Sequence, residues 1–141
     1  MVSDIIKAIS NKLYTEFGHE VYIDKVPREV DKDGFCIKCL SSKIKAQLPP
    51  RYFERNLFDI FSIVESQEEA YSLIEKLFDD LEYVRMLNGD LIRGTDMHAE
   101  IEDGVLHFFV NYNLFLIKKY DIIDSEKMEF LEALINPKDK I

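Results

Sequence analysis

"LIRGTDMHAEIEDGVLHFFVNYNLF", residues Leu91 to Phe115, is the stretch on which the fold turns. Asp103-Gly104 is a two-residue turn signal between two alternating runs. Folding the chain about that turn sets Met97 against Val110, Ala99 against Phe108 and Ile101 against Leu106, an apolar face. The other face sets Glu102 against Val105, Glu100 against His107 and His98 against Phe109. A slip of one residue would mix the two sets, so the pattern itself supports the register. Glu100 and His107 then make a cross-strand pair, worth about 0.2–1 kcal/mol.

The same stretch collects an arginine, several carboxylates and two of the three histidines, which invites a catalytic reading. The only nucleophiles it offers are Thr95 and Tyr112, and it contains no nucleophile elbow, phosphate loop or H-E-x-x-H. We read the polar groups as the outside of a two-stranded ribbon, and the chain as a protein that is not an enzyme and needs no metal or cofactor. Val105, Phe109, Phe115 and Ile117 share that outer face. A contiguous exposed apolar patch marks a protein contact; the other reading left open is that a helix covers it.

Upstream, Ile5, Ile6, Ile9, Leu13 and Phe17 recur at helical spacing, so a helix is expected over 3–17, with Ser3 as N-cap and Gly18 just past its end. "EVYIDKV" reads as a strand ended by Pro27, and "FCIKCLSSKIKAQL" as a second strand reaching about Leu48. After Pro49-Pro50, "RYFERNLFDIFSIV" is a third, with Phe58, Ile60 and Val64 on one side. Ser66 opens the strongest helix with a capping box to Glu69. Its stripe runs Ala70, Leu73, Ile74, Leu77, Leu81, Val84. Asn88-Gly89 is a further turn signal. At the end, "DSEKMEFLEALINPKDKI" reads as a short helix capped by Ser125, docking either on its own domain or on a neighbour. The expectation is an α+β domain over 1–120: a mainly antiparallel sheet of about five strands packed by two helices, order α-β-β-β-α-β-β. Residues 121–141 form a C-terminal extension with a short helix.

With 141 residues the chain suits one core without disulfide staples. Cys36 and Cys39 have C-x-x-C spacing, but on a strand residues three apart point to opposite faces, so we read them as structural. A net charge of −9 has the wrong sign for sequence-independent binding to nucleic acid. No apolar run approaches the ~20 residues that span a bilayer, and no signal peptide is read at the N-terminus, so a cytosolic protein is expected. A protein partner fits best.

"RGTDMHAEIEDGVLHFFVNYN", with "RYFERNLFDI" before the capped helix, resembles the phage tail terminator-like family, small tail proteins encoded in prophages of Bacillus- and Clostridium-type bacteria. The sharpest likeness lies at Arg93-Gly94, Met97, Asp103 to Val110 and Tyr112, with Tyr52, Arg55 and Phe58-Asp59-Ile60 agreeing more loosely. The resemblance implies a non-enzymatic ring, typically a hexamer, seated on the last ring of the tail tube, stopping its polymerisation and meeting the head connector. Its partners would be other copies of itself, the tail-tube protein and the head–tail connector. It would assemble in the bacterial cytoplasm and end in the virion. A closed ring needs two different complementary patches on each subunit. The outer ribbon face, with Arg93, His98, Glu100, His107, Phe109 and Phe115, is expected to be one, and a helix flank or the segment between the second and third strands the other. Another tail or neck component of the same fold, or a small protein-binding adaptor, are the alternatives.

Overall fold

The 91–117 ribbon forms as its alternation requires. In the computed structural model, which describes residues 2–23, 25, 30 and 34–117, β5 (Leu91–Glu102) and β6 (Val105–Ile117) pair antiparallel around Asp103-Gly104. Both turn residues have positive φ, 50° and 76°, as a tight two-residue hairpin turn requires. The pairs His98↔Phe109, Ala99↔Phe108, Glu100↔His107, Ile101↔Leu106 and Glu102↔Val105 are those expected. Met97↔Val110 is not formed. A bulge lies between Thr95 and His98, with Asp96 at φ 51°, and the register resumes at Thr95↔Asn111. The extra residue changes the phase of the strand, so that Ile92 and Gly94 face inward before it and Met97 and Ala99 after it.

The other elements are α1 (Val2–Phe17), β1 (Val21–Ile23), β2 (Phe35–Ala46), β3 (Arg51–Ile63), α2 (Gln67–Asp80) and β4 (Tyr83–Arg85). Helix α1 already includes Ser3, which is therefore inside the first turn and not its cap. Gly18, at φ 71°, donates its N–H to Tyr14 O and ends the helix in the left-handed conformation that glycine adopts without strain. At α2 the Ser66 hydroxyl accepts from Glu69 N–H (3.1 Å), while the Glu69 carboxylate reaches one residue beyond the cap, to Glu65 N–H (2.8 Å).

The sheet is mixed and six-stranded, in the order β1-β2-β3-β6-β5-β4, and this corrects the expected, mainly antiparallel set of five. Two differences account for it. β1 runs parallel to β2, through Val21↔Phe35 and Ile23↔Ile37, where a hairpin would have made the pair antiparallel. β4 is the added strand, pairing antiparallel with β5 around the Asn88-Gly89 turn, so Val84 belongs to it and not to the helix stripe. β2 ends at Ala46, short of Leu48. Pro27 and the expected C-terminal helix lie outside the described residues.

One side of the sheet carries both helices. Ile5, Ile9 and Leu13 of α1, and Ala70 and Leu77 of α2, are buried in one cluster with Phe58, Ile60, Leu106, Phe108, Val110 and Tyr112. A fully buried Leu, Ile or Phe side chain contributes roughly 1.5–3 kcal/mol, so this layer dominates stability. Among the described residues no helix is long and apolar enough to cross a membrane.

By its contacts the chain forms two units, residues 1–43 with 54–114, and 44–53 with 115–141. In the second, Gln47 N–H donates to Arg51 O. The Arg51 guanidinium stands 4.4 Å from the centre of the Phe115 ring, and Phe53 packs at 4.9 Å on that ring. Ile44, Leu48, Phe115 and Ile117 are exposed there.

Candidate functional site: the open face of the sheet

No described helix packs on the other side of the sheet. What covers part of it is a small cluster, buried Val30, Cys36 and Phe61 with half-buried Tyr22 and Val105. Beyond that cluster the side chains range from exposed to half-buried, with Asp59 buried among them. Cys36 therefore lies on this side, while Cys39 packs against the helix-side core, as strand geometry expects for residues three apart; the two are not joined in a disulfide. Burial pushes the Cys39 thiol above its ordinary pKa, which keeps it protonated and unreactive.

At the centre of this face three rings stack. Phe109 lies between His98, at 4.7 Å and 20°, and His107, at 6.1 Å and 13°. Phe61 tilts against His107 from β3 at 5.7 Å, and the Lys38 ammonium stands 5.9 Å over Phe61. The alternation of β5 and β6 thus delivers His98, Glu100, His107 and Phe109 to one place, as the sequence predicts. Arg93 shares the strand beyond the bulge, where it meets Glu82 (3.3 Å) and lies 5.9 Å over the Tyr83 ring. Phe115 belongs to the second unit.

The polar pairing differs from expectation. Although Glu100 stands opposite His107 in register, His107 Nδ1 hydrogen-bonds Asp59, 2.9 Å to Oδ2 and 3.2 Å to Oδ1. Glu100 pairs instead with His98 on its own strand, 3.5 Å away and largely in water. Asp59 is the functional-face residue that sequence reasoning did not place. It is a carboxylate in the apolar run "LFDIF" and only 7% exposed, and a charge so buried needs a partner. That need was the available signal. Burial lifts its pKa above the ordinary carboxylate value, outweighing the His107 hydrogen bond and charge and the Lys38 charge, all of which pull it down. A carboxylate on an imidazole is half of an acid–base device. Among the described residues, however, Asp59 is the hydrogen-bond partner of this imidazole, the Phe61 and Phe109 rings lie against it, and Glu100 stands across the strand.

The arrangement predicts a pH-dependent defect. His107→Leu keeps an apolar body under Phe61 but leaves Asp59 buried and unpartnered, at a cost of about 1–3 kcal/mol at neutral pH. His107 pulls the Asp59 pKa down against burial, so its removal lifts that pKa further. Protonation then favours the variant's native state more than the wild type's, and the deficit should shrink as pH falls through the carboxylate range. Urea denaturation at neutral and acid pH reads it. A deficit independent of pH would show that only packing was lost.

Among the described residues, then, the helices lie on one side of the sheet and an aromatic, mixed-charge face lies on the other. In sequence, residues 4–124 match the family described as "Phage tail terminator protein", and the chain belongs to that family. No curated protein matches it. One solved structure, whose name says nothing of its role, overlaps 84% of this chain and 94% of its own at 9% identity, with a TM-score of 0.45.

Proposed function

We propose that this tail protein is the terminator itself. It closes into a ring, six-membered by analogy with the family, on the last ring of the tail tube, halts tube growth and presents its far side to the head connector. It works by shape and contact, without chemistry, and assembles in the cytoplasm of the bacterial host before joining the virion. Family membership over residues 4–124 carries this reading. The open sheet face supports it, since Arg93, His98, Glu100, His107 and Phe109 give a subunit a large surface to share. Phe115, in the second unit, adds an exposed ring of the kind such contacts use.

The test is tube length. Tail-tube protein polymerising alone should give long, dispersed lengths by electron microscopy. Addition of this chain should shorten and narrow the distribution and leave a ring at one end only. Tubes that grow equally long with and without it would end the proposal.

A further inference from the structure

The corner of the open face formed by β4 and β5 presents two arginines on a chain that is acidic as a whole. The pairs Tyr83↔Arg93 and Arg85↔Leu91 set two arginines and two large apolar side chains on one side of the sheet, with Val84 and Ile92 buried behind them. All four point into solvent; Tyr83 is 46% and Leu91 53% exposed, and the Arg93 side chain 63%. Among the described residues Arg85 is anchored to Gly89 O at the neighbouring turn (2.7 Å). Among the described residues Arg93 pairs with Glu82, and an exposed pair of that kind holds an arginine only weakly. A basic, partly apolar patch on a protein of net charge −9 has its complement on the protein's own surface.

That complement is the outer side of α2. The helix carries five carboxylates and one lysine. The lysine, Lys76, is engaged by Asp80 at 2.9 Å and Glu16 at 3.8 Å. Glu68, Glu75 and Asp79 face solvent with no cation paired to them among the described residues, and Tyr71 lies exposed between them. They sit on the side of α2 away from Ala70 and Leu77, hence on the layer opposite the open sheet face.

We infer that the Tyr83, Arg85, Leu91 and Arg93 corner of one copy docks on the outer face of α2, at Glu68, Tyr71, Glu75 and Asp79, of a second copy. The contact joins two different surfaces on opposite layers of the subunit, so it is heterologous and propagates until the rotation closes a ring. Arginine suits the corner because its planar fork can take a carboxylate bidentately while its face lies on an aromatic ring. The inference deepens the terminator reading and rests on it for the closure of the ring.

Sedimentation of the full chain at low and high salt tests it. The wild type should self-associate as concentration rises, and less so in high salt. Arg85→Glu with Arg93→Glu should weaken association about tenfold or more, as should Glu75→Lys with Asp79→Lys. All four positions are exposed, so circular dichroism should show both variants folded. An equimolar mixture of the two should regain association, because in an alternating assembly every junction again joins opposite charges. A wild type that stays monomeric throughout, a reversed variant that associates like wild type, or a mixture no better than its components would each overturn the inference. If the arginine-reversed variant limits tube length as well as wild type does, the interface fails and the terminator reading stands. If charge reversal controls association but no form affects tubes, the interface stands and that reading fails.

Discussion

Gly94→Ala should lower stability by about 3 kcal/mol, the upper end of what overpacking costs, and Gly94→Val by more. A Cβ at position 94 would stand 2.7 Å from Val110 Cγ2, 2.8 Å from Leu81 O and 3.2 Å from Tyr112 Cε1. Two of these neighbours cannot step aside cheaply. Valine is branched at Cβ and stiff at χ1. Leu81 O is backbone at the C-cap of α2 and already accepts the Tyr112 hydroxyl. Gly94 N–H donates to Glu82 O at 2.6 Å, so moving β5 away would break the link to the chain entering β4. The glycine is thus required for space, at the point where the end of α2 presses on the sheet. For a chain of this size roughly 3–4 °C accompanies each kcal/mol, so thermal unfolding should fall by about 10 °C in the alanine variant. A loss below a degree would mean that the helix end yields freely and that the close approach is not a constraint.

The position also shows what the sequence made legible. Arg93-Gly94 stood out only as part of a resemblance, and the physical reason, a backbone carbonyl from residue 81 lying over residue 94, joins elements whose approach no local pattern encodes. The ribbon was readable because its register is local: a turn of type Asp-Gly and a strict alternation fix each other. The bulge broke that reading at one pair, although its trace was present. Ile92 and Gly94 fall on even positions and Met97, Ala99 and Ile101 on odd ones, a change of parity that needs one extra residue between 94 and 97. β4 was hidden because Val84 lies three residues after Leu81, a spacing that continues the helix stripe. The parallel β1–β2 pair was hidden because strands adjacent in sequence read by default as a hairpin.

The candidate face was legible in its membership and not in its bonding. Alternation alone puts His98, Glu100, His107 and Phe109 together. Which carboxylate holds His107 depends on the pairing of β3 with β6. The hydrogen bonds Val64 N–H to Gly104 O and Asn56 Nδ2 to Tyr112 O show these strands running oppositely, with Asp59 beside His107. That pairing spans 48 residues and is set by the packing of both strands over the helices, so no turn announces it. A register read from one hairpin assigns neighbours within it and cannot see a competitor from the next strand.

Tyr112 is where the core and the end of α2 meet, and it gives the second large effect. The side chain is fully buried, its ring 6.1 Å from that of Phe58, and its hydroxyl donates to Leu81 O at 2.6 Å. Tyr112→Ala removes the ring from a packed layer and should cost about 3–5 kcal/mol. Tyr112→Phe keeps the ring but strands a helix-end carbonyl without its donor, for about 1–3 kcal/mol. The two variants therefore separate packing from hydrogen bonding. Burial pushes the phenol of Tyr112 far above its ordinary pKa, so the folded state holds the proton that an unfolded tyrosine gives up near pH ~10. The stability that the hydroxyl adds is thus complete below that pH and is lost as pH rises above it, because only the unfolded chain can ionise there. Denaturant titrations should show the Tyr112→Phe deficit constant from neutral pH to about pH 9, then shrinking as alkali destabilises the wild type faster than the variant. A deficit that grows in alkali would mean that the phenol ionises more readily folded than unfolded, and that the short bond to Leu81 O does not hold the proton in place.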